Sequence, residues 1–247
     1  MSIPVTGRID IHSHMLPGID DGCDTIEESL ASIAMLQGAG FVGTICTPHL
    51  WPDMFPDNTP ANIQRWTEAL TGVLAQRGIE YALWPGGELR LFKGVIDWMR
   101  SHGVPTLAGS RYVLLDFWED KWPKYVDQGL DWLLAEGYQP ILAHPERIGI
   151  ADTDKLVKHL DDITARGVLL QGNFRCMTGE DGYLPDQRIR QFLQESRYWL
   201  LAMDMHRPDA LPSRLDGMQM VVEEFGQQAL DLMTIDRPRI VLANEYR

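Results

Sequence analysis

Histidine and carboxylate residues stand at the ends of several predicted strands, and these side chains are the ones best suited to chemistry. The first strand ends in the run Asp10-Ile11-His12-Ser13-His14. Residues two apart in a strand share a face, so His12 and His14 point the same way with Asp10 beneath them. We expect Asp10 to orient its neighbours or to make a buried hydrogen bond rather than to bind an ion. The following loop and the later strand ends add Asp20, Asp21, His49, Glu88, Asp116, His144, Glu146, Arg147, Gln171, Asn173, Asp204 and His206.

This set of side chains predicts a cluster of metal ions. Neutral imidazoles and carboxylates are ligands of zinc, manganese and iron, and the set exceeds what one tetrahedral ion needs. We therefore expect two or more ions, bridged by a carboxylate such as Glu88. Close metal pairs suit displacement at phosphorus, because they acidify a bound water, orient it and stabilise the leaving oxygen. His102 and His159 lie away from the strand ends, and we interpret them as ordinary structural residues. The five imidazoles of the predicted cluster are His12, His14, His49, His144 and His206.

The elements that must position these residues alternate along the chain as short apolar runs and longer amphipathic stretches, a pattern typical of parallel βα units. Strands are predicted at 8–12, 42–47, 79–84, 112–117, 140–144, 168–171 and 198–203. Helices are predicted from Thr25 to about Gly38, from Pro60 onward, and at 94–101, 124–136, 153–166, 186–196 and 213–233. Seven such units favour an α/β fold, a distorted TIM-like (β/α)7 barrel forming a single domain over residues 1–247. An open doubly wound sheet is the competing architecture, but no Gly-rich phosphate loop follows the first strand.

Composition limits the remaining function classes. The 247 residues include 35 acidic and 22 basic side chains, a net charge of −13, which argues against nucleic acid as a partner. A 45% hydrophobic and 23% charged content excludes wholesale disorder. The sequence has no apolar run of about 18 residues, so membrane insertion is not expected. Residues 1–7 lack the basic and apolar regions of a signal peptide. With only 3 Cys, a cytoplasmic, reducing location is expected.

The stretch 9–22, Ile-Asp-Ile-His-Ser-His-Met-Leu-Pro-Gly-Ile-Asp-Asp-Gly, resembles the opening of the PHP (polymerase and histidinol phosphatase) superfamily. More narrowly, it resembles the protein-tyrosine phosphatases of bacterial capsule and exopolysaccharide operons. Supporting segments follow in order over nearly the whole chain, at 47–49, 87–88, 110–117, 143–147 and 204–206. The resemblance implies a PHP-type metal-dependent phosphatase domain with three divalent ions, usually manganese, although iron or zinc would accept the same ligands.

The resemblance also implies a role for each matching position. His12, His14, Glu88 and Asp204 would hold the first ion. Glu88, Asp116 and His144 would hold the second, and Asp21, His49 and His206 the third. Arg147 would contact the phosphate, and Arg214 corresponds to a second such arginine.

The implied reaction is attack of a metal-bound hydroxide on the phosphorus of a phosphotyrosine, with Arg147 neutralising the non-bridging oxygens. The proton donor to the leaving phenolate is not assigned: a phenol leaves readily without a dedicated acid, and His49 or His206 would serve where the ring is not committed to an ion. The implied substrate is a phosphotyrosine protein, namely a bacterial tyrosine kinase of capsule or exopolysaccharide synthesis.

Two departures from the relatives' pattern bear on this site. Asp116 stands where relatives usually carry Glu, a side chain longer by one methylene. Leu50-Trp51-Pro52 follows His49 where some relatives have basic residues, which favours apolar substrate contacts beside the phosphate. Trp51 and Phe55 are candidates either for lining a pocket or for ordinary packing.

Three other function classes fit the sequence less well. A cysteine phosphatase needs Arg six positions after its Cys, and the three Cys are instead followed there by Ser29, Pro52 and Gly182. A small-molecule phosphomonoesterase of the histidinol-phosphatase type is the alternative, although such relatives usually lack the extension at 16–22. A non-catalytic or nuclease-associated module is disfavoured by the complete ligand set and by the acidic composition.

Overall fold

Parallel strands and helices alternate along the whole described chain. The computed structural model describes residues 7–246. Residues 1–6 of the N-terminal heptapeptide, and both ends of the predicted 1–247 domain, therefore lie outside the described residues. The strands are β1 (Arg8–Asp10), β2 (Phe41–Cys46), β3 (His49–Leu50), β4 (Ala82–Pro85), β5 (Glu88–Arg90), β6 (Tyr112–Asp116), β7 (Gln139–Ala143), β8 (Leu169–Asn173) and β9 (Leu200–Ala202).

These strand segments occupy seven positions around a barrel. One parallel sheet has the order β1-β2-β4 and the other the order β3-β5-β6-β7-β8-β9. The chain runs from β2 into β3 through Thr47 and Pro48, and from β4 into β5 through two glycines, so each pair forms one interrupted strand. The interrupted strands stay in register, because Glu88 N donates to Pro48 O at 3.1 Å.

Hydrogen bonds between the first and last strand positions close the barrel. His14 N donates to Met205 O at 2.7 Å, and Asp204 N donates to His12 O at 2.9 Å. Ser13 and Met205 form a parallel bridge between them. The pairing therefore runs around all seven positions, and the predicted distorted (β/α)7 barrel is confirmed.

A helix follows each strand position. The helices are α1 (Ile26–Gly38), α2 (Pro60–Arg77), α3 (Val95–His102), α4 (Lys124–Ala135), α5 (Thr153–Ala165), α6 (Tyr183–Gln194), α7 (Leu211–Phe225), α8 (Gln227–Asp231) and α9 (Arg237–Ala243). The predicted starts of α1 and α2 are confirmed, because the side chains of Thr25 and Thr59 cap backbone N–H groups there. The single helix predicted at 213–233 is wrong. Gly226 takes a φ of 87° after α7, and the chain begins a new helix beyond it.

The inward faces of the barrel strands begin apolar and end polar. Along β6 the residues of one face are Tyr112, Leu114 and Asp116, and along β8 they are Leu169, Gln171 and Asn173. The apolar members pack in one buried cluster with Val241 of α9. The floor of the barrel is therefore a packed core, and the polar groups collect at the carboxyl ends of the strands.

Within residues 7–246, none of the helices combines the length and the hydropathy needed to cross a bilayer.

Candidate metal centre

The polar side chains meet in one cavity of about 290 Å³ at the carboxyl ends of the strands. His12, His14 and Asp116 are buried in the chain's interior. The remaining predicted site residues line the cavity: Asp21, His49, Glu88, His144, Arg147, Asp204, His206 and Arg214. Segments from the beginning, middle and end of the chain thus converge on a single place, as the strand-end pattern predicts.

Glu88 lies at the centre of the imidazoles. Its Oε1 is 2.8 Å from His144 Nε2, and its Oε2 is 2.8 Å from His49 Nδ1. The same Oε2 lies 3.4 Å from His12 Nε2 and 3.5 Å from His14 Nε2. A carboxylate within reach of four imidazoles is placed as a bridging ligand would be.

Three overlapping groups of ligand atoms, each within 4.8 Å of one another, could hold metal ions. The outermost group includes Asp21, whose Oδ1 is 3.4 Å from His49 Nε2 and 3.5 Å from His206 Nε2. Asp116 belongs to none of these groups found within residues 7–246, although its carboxyl is buried close by. The groups are His14, Asp21, His49 and His206; His12, Glu88 and His144; and His12, His14 and Asp204.

The two histidines after β1 present their Nε2 atoms to the centre of the cluster. Gln171 Nε2 donates to Gly172 O, which turns Gln171 Oε1 toward His12 Nδ1 at 2.9 Å. Asp20 Oδ2 lies 2.8 Å from His14 Nδ1. The two Nε2 atoms lie 3.3 Å apart, and with a cation bound each ring would be neutral, donating from Nδ1 and offering its Nε2 lone pair to the ion.

Asp204 is held in place by several neighbours. Its Oδ2 accepts a hydrogen bond from Asn173 Nδ2 at 2.6 Å and one from Arg147 Nη1 at 2.9 Å. Its backbone has a φ of 47°, a left-handed conformation that the surroundings must stabilise. The buried Arg214 does so, because its Nε and Nη2 both donate to Asp204 O.

The two predicted phosphate-binding arginines differ in how exposed their side chains are. Arg147 keeps 32% of its side chain exposed, and Nη1 is its contact with Asp204. Arg214 is 2% exposed, and it also donates to Met203 O and Ala210 O. Arg147 is therefore available to an anion in the cavity, whereas a phosphate contact from Arg214 stays a prediction.

The pKa values keep the carboxylates of Glu88 and Asp204 ionised at neutral pH, as ligands of a cation must be. Burial opposes ionisation of Glu88, but the imidazoles of His12 and His49 outweigh burial and hold its pKa well below the usual range. Burial likewise opposes ionisation of Asp204, and His12 and His206 lower its pKa well below normal. Burial, with His14, lowers the pKa of His206 to about 4, so this imidazole is neutral at pH 7.

Asp116 provides a second indication that the donor set fits a cation. Burial, with the nearby charge of Glu88, raises the pKa of Asp116 to about 6. Its buried Oδ1 has no hydrogen-bond partner among residues 7–246. A buried carboxylate oxygen without a donor is costly, and a bound cation would remove that cost.

Sequence reasoning missed the orientation of some site residues and did not identify others. Asp20 and Asp21 are adjacent carboxylates, and sequence alone does not show that Asp20 turns inward to His14 while Asp21 faces the cavity. Trp118 and the arginines 175 and 207 also line the cavity. They follow strands at loop positions, where the period-two pattern no longer indicates which side chain faces inward.

The chain is similar to a group of bacterial phosphatases. Residues 8–243 match the family described as capsular polysaccharide synthesis, CpsB/CapC. The tyrosine-protein phosphatase CpsB of Streptococcus agalactiae is 27% identical over 246 residues, covering 96% of this chain and 99% of that protein. The tyrosine-protein phosphatase YwqE of Bacillus subtilis is 26% identical, covering 96% of this chain and 92% of that protein.

A solved structure agrees with the sequence comparison. A chain from the crystal structures of Bacillus subtilis YwqE and Streptococcus pneumoniae CpsB, described as metal-dependent tyrosine phosphatases, superposes with a TM-score of 0.81. It is 25% identical, and the match covers 96% of this chain and 95% of that one.

Proposed function

The chain belongs to the capsular polysaccharide synthesis CpsB/CapC family, and from that premise we propose that it is a metal-dependent tyrosine phosphatase. The observation that carries the proposal is the convergence of five imidazoles on Glu88 and Asp204 inside one cavity. The relatives with this family match are named tyrosine-protein phosphatases.

Three divalent ions are assigned to the cluster, with manganese as the proposed ion. His12, His14, Glu88 and Asp204 would hold the first ion, and Asp21, His49 and His206 would hold the third. Glu88, Asp116 and His144 would hold the second. The overlapping groups of ligand atoms support the first and third sets, and the unpartnered oxygen of Asp116 supports its place in the second.

When bound, the ions supply an acidified water and positive charge for the phosphate oxygens. Three divalent cations outweigh the four carboxylates among these ligands, so the cavity attracts a phosphate although the whole chain is acidic. Gln171 and Asp20 fix the rings of His12 and His14, so the ligand nitrogens need little reorganisation.

Arg147 orients the phosphate. Its guanidinium stands at the cavity with one nitrogen on Asp204 and the others available to non-bridging oxygens. Charge builds up on those oxygens as the ester bond breaks, and a fixed cation there stabilises the transition state. A phenolate is a good leaving group, so the proposed reaction needs no dedicated proton donor, and His49 and His206 are candidates for that role where the ring does not hold an ion.

The proposed substrate is a phosphotyrosine protein, in particular a bacterial tyrosine kinase that acts in capsule or exopolysaccharide synthesis. The family description supports the connection with capsule synthesis. The proposed location of this chain is the cytoplasm, in keeping with its three cysteines, all of which are free thiols.

The test is a substrate panel on purified protein. Phosphotyrosyl peptides and histidinol phosphate are offered with added manganese and with a chelator. Hydrolysis of the peptides that needs the metal is expected, and His206→Ala should abolish it while the exposed His102→Ala should not. Equal turnover in the chelator would refute the metal mechanism, and preference for histidinol phosphate would refute the tyrosine phosphatase assignment.

A further inference from the structure

Three aromatic side chains stand beside the metal centre, and we name them the aromatic rim: Trp51, Phe55 and Trp118. Trp118 lines the same cavity as Glu88 and Arg147. Its side chain remains 50% exposed, although indole is a large apolar group. The neighbouring Phe117 turns the other way and is buried against Trp122 with ring centroids 4.9 Å apart. The exposure of Trp118 is therefore specific to the side chain that faces the cavity.

Two rings of the aromatic rim pack against His49, a ligand in the proposed cluster. The centroid of Trp118 lies 6.2 Å from that of His49, at an interplanar angle of 80°. The ring of Phe55 stacks on that of His49, with centroids 6.1 Å apart and an interplanar angle of 10°. Aromatic pairs favour separations of 4.5–7 Å, so a ring attached to a phosphate beside His49 would meet Trp118 at contact distance.

Trp118 packs against Trp51, and both indoles lie near the guanidinium of Arg90. Trp51 packs edge-on against Trp118, with centroids 5.8 Å apart and an interplanar angle of 71°. The guanidinium of Arg90 lies 4.1 Å from the Trp51 centroid and 5.5 Å from that of Trp118. Arg90 Nη1 is buried without a hydrogen-bond partner among residues 7–246, whereas its Nη2 lies 3.6 Å from Glu119 Oε1. The indole is thus fixed before a ligand arrives, which lowers the entropic cost of binding.

From this arrangement we infer that Trp118, supported by Trp51 and Arg90, binds the aromatic ring of the phosphotyrosine and selects aryl over alkyl phosphates. The inference rests on the proposed function and adds the specificity-determining residue. The ring of the substrate lies against the exposed face of the indole while the phosphate lies between the cluster and Arg147. A phosphoserine side chain has no ring to fill this space and gains nothing from the rim.

Calorimetric titration of the manganese-loaded protein tests the inference independently of turnover. The probes are phenylphosphonate, which carries a ring, and inorganic phosphate, which does not. In the unmodified chain phenylphosphonate should bind more tightly. Trp118→Ala should weaken the binding of phenylphosphonate roughly tenfold, which corresponds to the loss of one aromatic contact and its buried apolar area. The affinity for inorganic phosphate should stay unchanged. Trp118→Phe should restore most of the loss. Tyr183→Ala, which removes an exposed aromatic residue outside the cavity lining, is the matched control and should alter neither affinity.

The outcomes separate the two claims. Equal weakening of both probes by Trp118→Ala would mean that the indole is structural, and no weakening would mean that it does not bind the ring; either result overturns the inference. Equal affinity of the two probes for the unmodified chain overturns it as well. Failure of the unmodified chain to hydrolyse phosphotyrosyl peptides would instead overturn the proposed function.

Discussion

In the proposed cluster Glu88 is the bridging ligand, because both of its oxygens face imidazoles. Oε1 contacts His144, and Oε2 lies within 3.5 Å of three further rings. The pattern of the sequence already suggests a bridging carboxylate at this position. What the sequence does not show is that four rings share it, since that depends on three-dimensional distances between distant strands.

Replacing Glu88 by Gln keeps the shape of the side chain and removes its charge. We expect ions to be lost from the purified protein and hydrolysis to fall at least about 1,000-fold, since the ligand and the bridge are lost together. Elemental analysis and phosphopeptide kinetics measure both effects. The exposed Glu68→Gln on α2 is the control and should behave as the parent chain does. A Glu88→Gln protein that retained full metal content and activity would contradict the bridging role.

Arg147 should affect the reaction without affecting the metal. Arg147→Ala is expected to lower kcat/KM about 100-fold, in the range for removing one charge-stabilising donor. The ion content should stay unchanged, because Arg147 touches the cluster only through Asp204 Oδ2. The exposed Arg65→Ala on α2 should change neither quantity. Full kcat/KM in Arg147→Ala would show that the phosphate is bound elsewhere.

Asp10 makes the metal-free protein less stable as the pH rises. Burial is the main cause that raises its pKa from 3.8 to about 7. Between these two pKa values the folded state keeps a proton that the unfolded state loses. The stabilisation of the folded state by this proton is complete below about pH 4 and is lost as the pH rises to about 7. Between those limits one proton changes the free energy of unfolding by about 1.4 kcal/mol per pH unit.

Asp10→Asn removes this titration and keeps an oxygen for Met203 N, which now donates to Asp10 Oδ1 at 3.0 Å. In urea titrations of chelated protein, the variant should lose less stability than the parent between pH 4 and pH 7. The exposed Asp57→Asn should follow the parent curve. Identical pH slopes for Asp10→Asn and the parent would contradict the raised pKa.

At the scale of elements, the strand ends were predictable and some helix ends were not. Along β6 and β8 an apolar run ends in polar residues, and these polar residues mark the carboxyl end of each strand. The helix predicted at 213–233 shows what the pattern lacks. Its apolar spacing continues past Gly226, but the left-handed backbone there ends α7, and apolar periodicity alone does not indicate that turn.

The α7 helix connects packing to the site, because it carries Arg214 and packs on the 174–178 turn. A Cβ at Gly217 would lie 2.0 Å from Phe174 O, which is backbone and must move. Gly217→Ala should therefore reduce the free energy of unfolding by about 2–3 kcal/mol and lower activity through Arg214 and Asp204. Chemical denaturation and kinetics check both.

Gly72 in α2 is the matched control, because its added Cβ would meet nothing within 4 Å. Gly72→Ala should instead stabilise the chain by about 0.5–1 kcal/mol, since Ala is the better helix former. If both alanine variants shifted stability equally and in the same direction, the close contact of α7 with Phe174 would not be the cause.

At the scale of the whole molecule, closure of the barrel brings the two ends of the chain into one site. His14 N to Met205 O and Asp204 N to His12 O join β1 to the last strand position, so ligands from residues 12 and 204 become neighbours. The resemblance and the strand count predicted this closure. The aromatic rim was not predicted as a unit, because Trp51 and Trp118 are 67 positions apart and lie in loops whose course depends on tertiary packing.

We propose that side chains from all parts of the barrel hold divalent ions at its carboxyl end. Anomalous diffraction at the manganese edge, from crystals grown with manganese, would locate these ions. We expect three peaks in the cavity, with Glu88 beside two of them and Asp21 beside the third. A cavity without anomalous peaks, or peaks only at the outer surface of the chain, would contradict it.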